Sequence, residues 1–260
     1  EFARQGFTLD GREALAASGL AGREPLGALQ LGEQTCVVRR FRHGGLRRAL
    51  GRELFFDPAR PVVELLLASR FGALGLPTPR VLAARAGRAG PGWHLALVSA
   101  RAAGEDAGRV LERWRCGELP RAARRSLCRA AGELVARLHR AGFLHADLHP
   151  RNLLVAHDGT LAALDLDRGS FLPALAERTR QDNLRRLYRS VRRREARGRT
   201  FLARGDYLAF LRSYARLAGT DWRVDWRAIV RRDRLFGPLH RLGWRLEGLF
   251  GDGPERRDGG

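Results

Sequence analysis

Lysine and methionine are both missing from this 260-residue chain. All 48 basic residues are therefore arginine, set against 28 acidic ones for a formal charge of +20. Arg, Ala, Gly and Leu are abundant together, so part of that excess reflects compositional bias. The field still favours anions, whether nucleic acid, phospholipid headgroups or an acidic substrate. No set of stacking aromatics at useful spacing accompanies the charge, which argues against a nucleic-acid binder. The three cysteines, Cys36, Cys116 and Cys128, are odd in number and lack close metal-ligand spacing. That argues against a disulfide frame or a zinc site and points to a reducing, cytosolic compartment. No apolar run reaches membrane-spanning length, and no charged-then-apolar secretion signal opens the chain. The first residue is Glu1, so a few residues are expected before it. What remains, 44% hydrophobic residues, suits one large globular domain or two lobes with a substantial core.

The most informative stretch is His145-Ala-Asp147-Leu-His149-Pro-Arg-Asn152-Leu-Leu-Val155, followed by Leu161-Ala-Ala-Leu-Asp165-Leu-Asp167. Asn152 comes five positions after Asp147, and Asp165 thirteen after Asn152. That is the spacing of a kinase-type phosphoryl-transfer site. Such chemistry needs a carboxylate to orient the attacking hydroxyl and accept its proton, and oxygen ligands to hold Mg²⁺ against nucleotide phosphates. Asp147 fits the base; Asn152 and Asp165 fit the metal ligands. Arg137 to Gly142 reads as a helix end with a Gly stop, so Asp147 falls on the following loop. Leu153–Val155 and Leu161–Leu164 read as two strands joined by the turn His157-Asp158-Gly159-Thr160. Such a hairpin brings Asn152 at its entry beside Asp165 at its exit.

The flanking chain supplies candidates of lower information content. Residues 1 to 18 read as a mixed leader. The glycines between Gly19 and Gly32 suit either a strand-turn-strand that covers phosphates with backbone N–H groups or a hairpin with no ligand. Thr35 to Phe41 is a strand by its β-branched content. Arg39 near its end stands where a kinase has the phosphate-holding Lys, and reads either as a bidentate phosphate contact or as an outward surface residue. A flexible basic loop, Arg42 to Arg48, follows. Pro61 to Gly72 is a helix opened by Pro. Glu64 early in it either orients Arg39 or is a solvated first-turn acid favoured by the helix dipole.

Val81–Ala84 and Trp93–Ser99 read as strands, with Gly87–Gly92 as a turn. Glu105–Cys116 and Pro120–Ala141 read as helices, the second with Leu127, Ala130, Ala131, Leu134, Val135 and Leu138 on one face. Another helix carries Asn183, Leu184, Leu187, Tyr188 and Val191. Helical, aromatic sequence continues to Leu239–Phe250, whose Trp244 face and Arg face suit either core packing or an anionic membrane surface.

Over nearly its whole length the chain resembles the eukaryotic-kinase-like fold. Within that fold it resembles the 3-deoxy-D-manno-octulosonic acid (Kdo) kinases of the lipopolysaccharide kinase family. The matching pieces are Val37 to Leu46, Arg60 to Glu64, Leu74 to Pro79, His145 to Leu148, Asp165 to Gly169 and Asn183 to Ser190. The expected fold is α+β and bilobal: a small β-rich N-lobe over residues 1–98, a hinge at 99–104 and a mainly helical C-lobe over 105–260. The resemblance implies transfer of the ATP γ-phosphate, with Mg²⁺, to a hydroxyl of Kdo on a lipid A precursor. It places the enzyme at the cytoplasmic face of the inner membrane, with peripheral contact to an anionic surface. It carries over Asp147 as the base and Asn152 and Asp165 as metal ligands; Arg39 and Glu64, read from their places in strand and helix, are the candidate cofactor-binding residues.

His149-Pro150 departs from that pattern toward small-molecule phosphotransferases of the aminoglycoside and choline kinase type. Those often act on cationic substrates, to which a charge of +20 is ill suited. Arg39 in place of Lys leaves a nucleotide-binding pseudokinase as a further alternative. Ala146 cannot perform the task of the Arg that protein kinases carry before the catalytic Asp, and the Ala-Pro-Glu signature is absent, so the acceptor is not a protein.

Overall fold

The computed structural model describes residues 16–17, 27–42, 53–231 and 233. The leader, most of the Gly19–Gly32 stretch, the basic loop beyond Arg42 and the Leu239–Phe250 segment lie outside the described residues. The chain divides into two compact units, one over Glu1–Ala107 and Asn152–Phe171, the other over Gly108–Arg151 and Leu172–Gly260.

The first unit is built on a five-stranded antiparallel sheet. Its strands are β1 (Ala16–Ala17), β2 (Gly27–Leu31), β3 (Gln34–Arg40), β4 (Val81–Ala89) and β5 (Gly92–Ala100), in the order β1-β2-β3-β5-β4. Alternation along the strands sorts side chains to two faces. Cys36, Val38, Ala96 and Val98 pack with Leu29 on one face, while Phe41, Leu95 and Leu97 pack with Phe55 on the other. Arg39, one residue from Val38 and two from Phe41, shares the Phe41 side and lays its guanidinium 4.7 Å from that ring's centroid. Helix α1 (Arg60–Ala73), with Pro61 in its first turn, packs on β4 and β5 and buries Glu64, Ala68 and Phe71.

Two local expectations change here. The 87–92 segment is mostly strand, since Gly87, Arg88 and Ala89 continue the ladder opposite His94, Trp93 and Gly92. Glu105–Asp106 is not helical but forms β6, paired with β8 (Leu153–Val155), which in turn pairs with β9 (Leu161–Ala163). Long-range pairing has overridden local helix preference there.

The second unit is helical: α2 (Ala107–Arg115, whose first residue closes the first unit), α3 (Arg121–Arg140), α4 (Glu177–Ala196), α5 (Arg204–Ala218) and helical residues 222–231. A two-residue strand, β7 (Phe143–Leu144), follows α3. The α3 stripe expected from periodicity is largely buried, with Leu127, Leu134, Val135 and Leu138 all in the core. It packs on α5, where Gly132 permits the approach: a Cβ there would lie 2.3 Å from the Phe210 carbonyl oxygen. Gly142 ends the α3 segment at φ +77°, and a Cβ there would meet the Leu172 carbonyl oxygen at 2.3 Å. Both positions require glycine for these reasons. Tyr188, Tyr207 and Trp226 form an aromatic cluster with ring centroids 5.6–6.2 Å apart.

Candidate active site

In the first unit, sheet, helix and hairpin bring three of the sequence-selected residues together. Arg39 projects from β3 and divides its guanidinium between two carboxylates, Nη2 donating to Glu64 and Nη1 to Asp165. Glu64 is 5% exposed, so it is not a solvated first-turn acid. Burial pushes its carboxyl up to about 7, against the pull of Arg39. For Arg39 burial works against the charge, and Glu64, Asp165 and Asp167 outweigh it, holding the guanidinium above its ordinary range.

Asn152 and Asp165 sit at the two ends of the β8–β9 hairpin. Asn152 closes a 3-10 turn (Pro150–Asn152), is 4% exposed, and accepts the Leu164 N–H on its carbonyl at 2.9 Å. The next residue, Asp165, has φ 53° and is the one non-glycine with positive φ among the described residues. Left-handed backbone is strained for most side chains and is tolerated best by Asn, Asp and Gly. The turn His157–Thr160 is fixed by Asp158, which accepts from Thr160 N at 2.9 Å and from Thr160 Oγ1 at 2.7 Å. These bonds hold the Asp158 carboxyl below its usual range.

Two further contacts were not legible in the sequence. Arg60, the first residue of α1, donates Nε at 3.0 Å and Nη2 to Asp167 Oδ2, while its guanidinium carbon lies 5.2 Å from the Phe41 centroid and 5.4 Å from that of Phe55. The Leu76-Pro77-Thr78-Pro79 segment clasps β9: Ala163 N–H donates to the Pro77 carbonyl at 2.9 Å and Thr78 Oγ1 donates to the Ala163 carbonyl at 2.8 Å.

The residues fit a Mg²⁺ ion. An amide and a carboxylate are hard oxygen donors, and Mg²⁺ is typically held by one or two carboxylates together with phosphate and water. Asp165 is 47% exposed at its side chain and has one carboxylate oxygen on Arg39, leaving capacity at the other.

Asp147 lies in the second unit, with Oδ2 at 3.6 Å from His149 Nε2. The backbone just before it is anchored by buried polar side chains. Asn183 Nδ2 donates to the His145 carbonyl at 2.8 Å, and Asn183 Oδ1 meets His139 Nε2 at 3.0 Å. Burial lowers the His139 pKa to about 4, so this ring is neutral.

An α+β protein of kinase-like architecture is therefore what fold and residues define, and a solved structure of WaaP in complex with acyl carrier protein shares that fold. It superposes with a TM-score of 0.56 at 22% sequence identity, covering 89% of this chain and 88% of that one. The model of the lipopolysaccharide kinase (Kdo/WaaP) family matches residues 14–214, and the chain belongs to that family. The 3-deoxy-D-manno-octulosonic acid kinase of Xanthomonas euvesicatoria pv. vesicatoria (strain 85-10) is 35% identical over 161 residues, and that of Xylella fastidiosa (strain M23) is 32% identical over 159 residues. The matched stretch spans 60% of this chain and 61% of the length of either relative.

Proposed function

We propose that this chain transfers the γ-phosphate of ATP to a hydroxyl of Kdo on a lipid A precursor. The observation that carries the reading is the double ion pair of Arg39 with Glu64 and Asp165, in a chain that belongs to the lipopolysaccharide kinase family. Arg39, oriented by Glu64, presents a planar fork to nucleotide phosphate, and phosphate oxygens compete with Asp165 for it. Asn152 and Asp165 supply the oxygens for Mg²⁺. That ion, once bound, neutralises charge on the phosphates. Asp147 orients the acceptor hydroxyl and takes its proton.

On this reading residues 1–98 are a nucleotide-covering lobe, 99–104 the hinge that meets adenine and 105–260 a helical lobe, whereas the compact units place 99–107 and the Asn152–Phe171 segment with the first unit. The charge of +20 supports an acceptor rich in carboxylate and phosphate. Among the described residues no helix is long and apolar enough to cross a membrane. With the arginine excess, this accords with peripheral attachment at the cytoplasmic face of the inner membrane, where each well-placed cation contributes about 1 kcal/mol.

The test is incubation with labelled ATP, Mg²⁺ and Kdo–lipid IVA, with label expected in the lipid. Label appearing instead in an aminoglycoside or choline would replace the glycolipid reading with the soluble small-molecule one. Nucleotide binding without transfer to any acceptor would make the chain a pseudokinase.

A further inference from the structure

The His145 carbonyl, two residues before Asp147, is the end point of a buried relay from three helices. Asn183 of α4 donates to it from Nδ2 at 2.8 Å. Asn183 Oδ1 in turn faces Nε2 of His139, on α3, at 3.0 Å. The other ring nitrogen of His139 meets Tyr214 Oη, on α5, at 2.9 Å, with the two rings edge to face. His139, His145, Asn183 and Tyr214 are each no more than 5% exposed. Water therefore has little access to substitute for any lost partner.

The relay has a direction. A carboxamide fits its site in two orientations of nearly equal shape, and only the pattern of donors and acceptors around it selects one. Turned over, Asn183 would set its oxygen against the His145 carbonyl, acceptor to acceptor, in a buried place. His139 prevents this by donating Nε2–H to Oδ1. With Nε2 donating, the neutral ring bonds Tyr214 by accepting the phenolic proton at Nδ1. Burial raises the Tyr214 pKa, keeping that proton in place, and holds His139 neutral. Aspartate at position 183 would lack the N–H that reaches His145. The chain contains just two asparagines: Asn152, in the proposed metal site, and Asn183, in this relay.

We infer that Asn183 and His139 are positioning residues for phosphoryl transfer: His139 sets the orientation of the Asn183 amide, and Asn183 sets the backbone from which Asp147 reaches its acceptor. The inference rests on the reading of Asp147 as the base.

The full chain is tested as Asn183→Asp, His139→Phe and His139→Gln. Steady-state kinetics are run with MgATP and Kdo–lipid IVA, alongside backbone hydrogen exchange over residues 143–149. Asn183→Asp is expected to lower kcat about 10²-fold, the scale of a misplaced reacting group. KM for ATP stays within about twofold, because nucleotide contacts are untouched. Exchange over 143–149 rises while that of α5 does not. His139→Phe lowers kcat about tenfold, and His139→Gln, which retains an N–H donor, recovers most of it.

A folded Asn183→Asp protein with unchanged kcat and unchanged exchange at 143–149 would overturn the inference. If that variant does not fold, equal kcat in His139→Phe and His139→Gln would overturn it instead. Should the wild type fail to phosphorylate the glycolipid, the proposed function falls while the exchange comparison still decides whether this relay orders the loop.

Discussion

Arg39 and Asp165 are 126 residues apart in the chain and joined by an ion pair. The same guanidinium holds Glu64, so one side chain ties strand, helix and hairpin together. A planar fork can serve both carboxylates at once, whereas an ammonium is a point charge. Arg39→Lys is therefore expected to keep nucleotide affinity better than Arg39→Ala while still disturbing Asp165. Losses in kcat/KM of about tenfold for Lys and about 10²-fold or more for Ala are expected, in line with losing one or two charge-assisted hydrogen bonds. Wild-type kinetics in Arg39→Ala would remove this residue from the site.

Two buried titrating groups, Glu64 and His139, bias stability against pH in opposite directions. Glu64 titrates near 7 in the fold, above its ordinary value of 4.5. Its contribution is thus complete below about 4.5 and is lost as pH rises through 7. His139 titrates near 4, below its ordinary 6.5. Its contribution is complete above about 6.5 and is lost as pH falls toward 4. Each is worth roughly 3 kcal/mol at the extreme of its window. Urea unfolding between pH 4.5 and 7 should therefore gain an upward slope with pH in Glu64→Gln and a downward one in His139→Gln. Parallel profiles in both variants and the wild type would contradict the assigned directions.

Asp147→Ala is expected to lower transfer by about 10² to 10⁴-fold, the range for loss of a general base. Nucleotide binding, measured by fluorescence titration with MgATP, should be retained. A near-normal rate would end the assignment.

For Asn152→Ala the informative quantity is the Mg²⁺ concentration giving half-maximal rate. It should rise by about tenfold or more as one of few protein oxygens is removed. If the magnesium dependence is unaltered, Asn152 is a structural residue of the hairpin and not a ligand.

Thr78→Val removes one hydrogen bond to the Ala163 carbonyl and little volume. A loss of about 1 kcal/mol in unfolding free energy is expected. Thermal melts would register it, and an unchanged midpoint would mean that Pro77 alone secures the strand.

Much of the site could be read from the chain because its signals are local. The hairpin announced itself by two short apolar runs around His157–Thr160, and its closure set Asn152 opposite Leu164, next to Asp165. Pro61 marked the start of α1, and the spacing from it located Glu64. What escaped is held by contacts between distant positions. Arg60 and Asp167 are 107 residues apart, and nothing near either one names the other. His139 adjoins the apolar stripe of α3 and resembles any core histidine until Tyr214 and Asn183 are seen around it. Glu105–Asp106 has helix-compatible neighbours, yet joins a sheet because Gly104 lets the chain run against Val155.

The clasp on β9 limits how the hairpin end of the candidate site can reorganise. The hairpin is fixed along one side by β6 and along the other by Pro77 and Thr78, so sliding it would rupture several backbone bonds together. On the proposed reading, Asp165 would pass from Arg39 to a cation by torsion about side-chain bonds. Loading would then be a pivoting of two side chains on stationary peptide, sparing the scaffold.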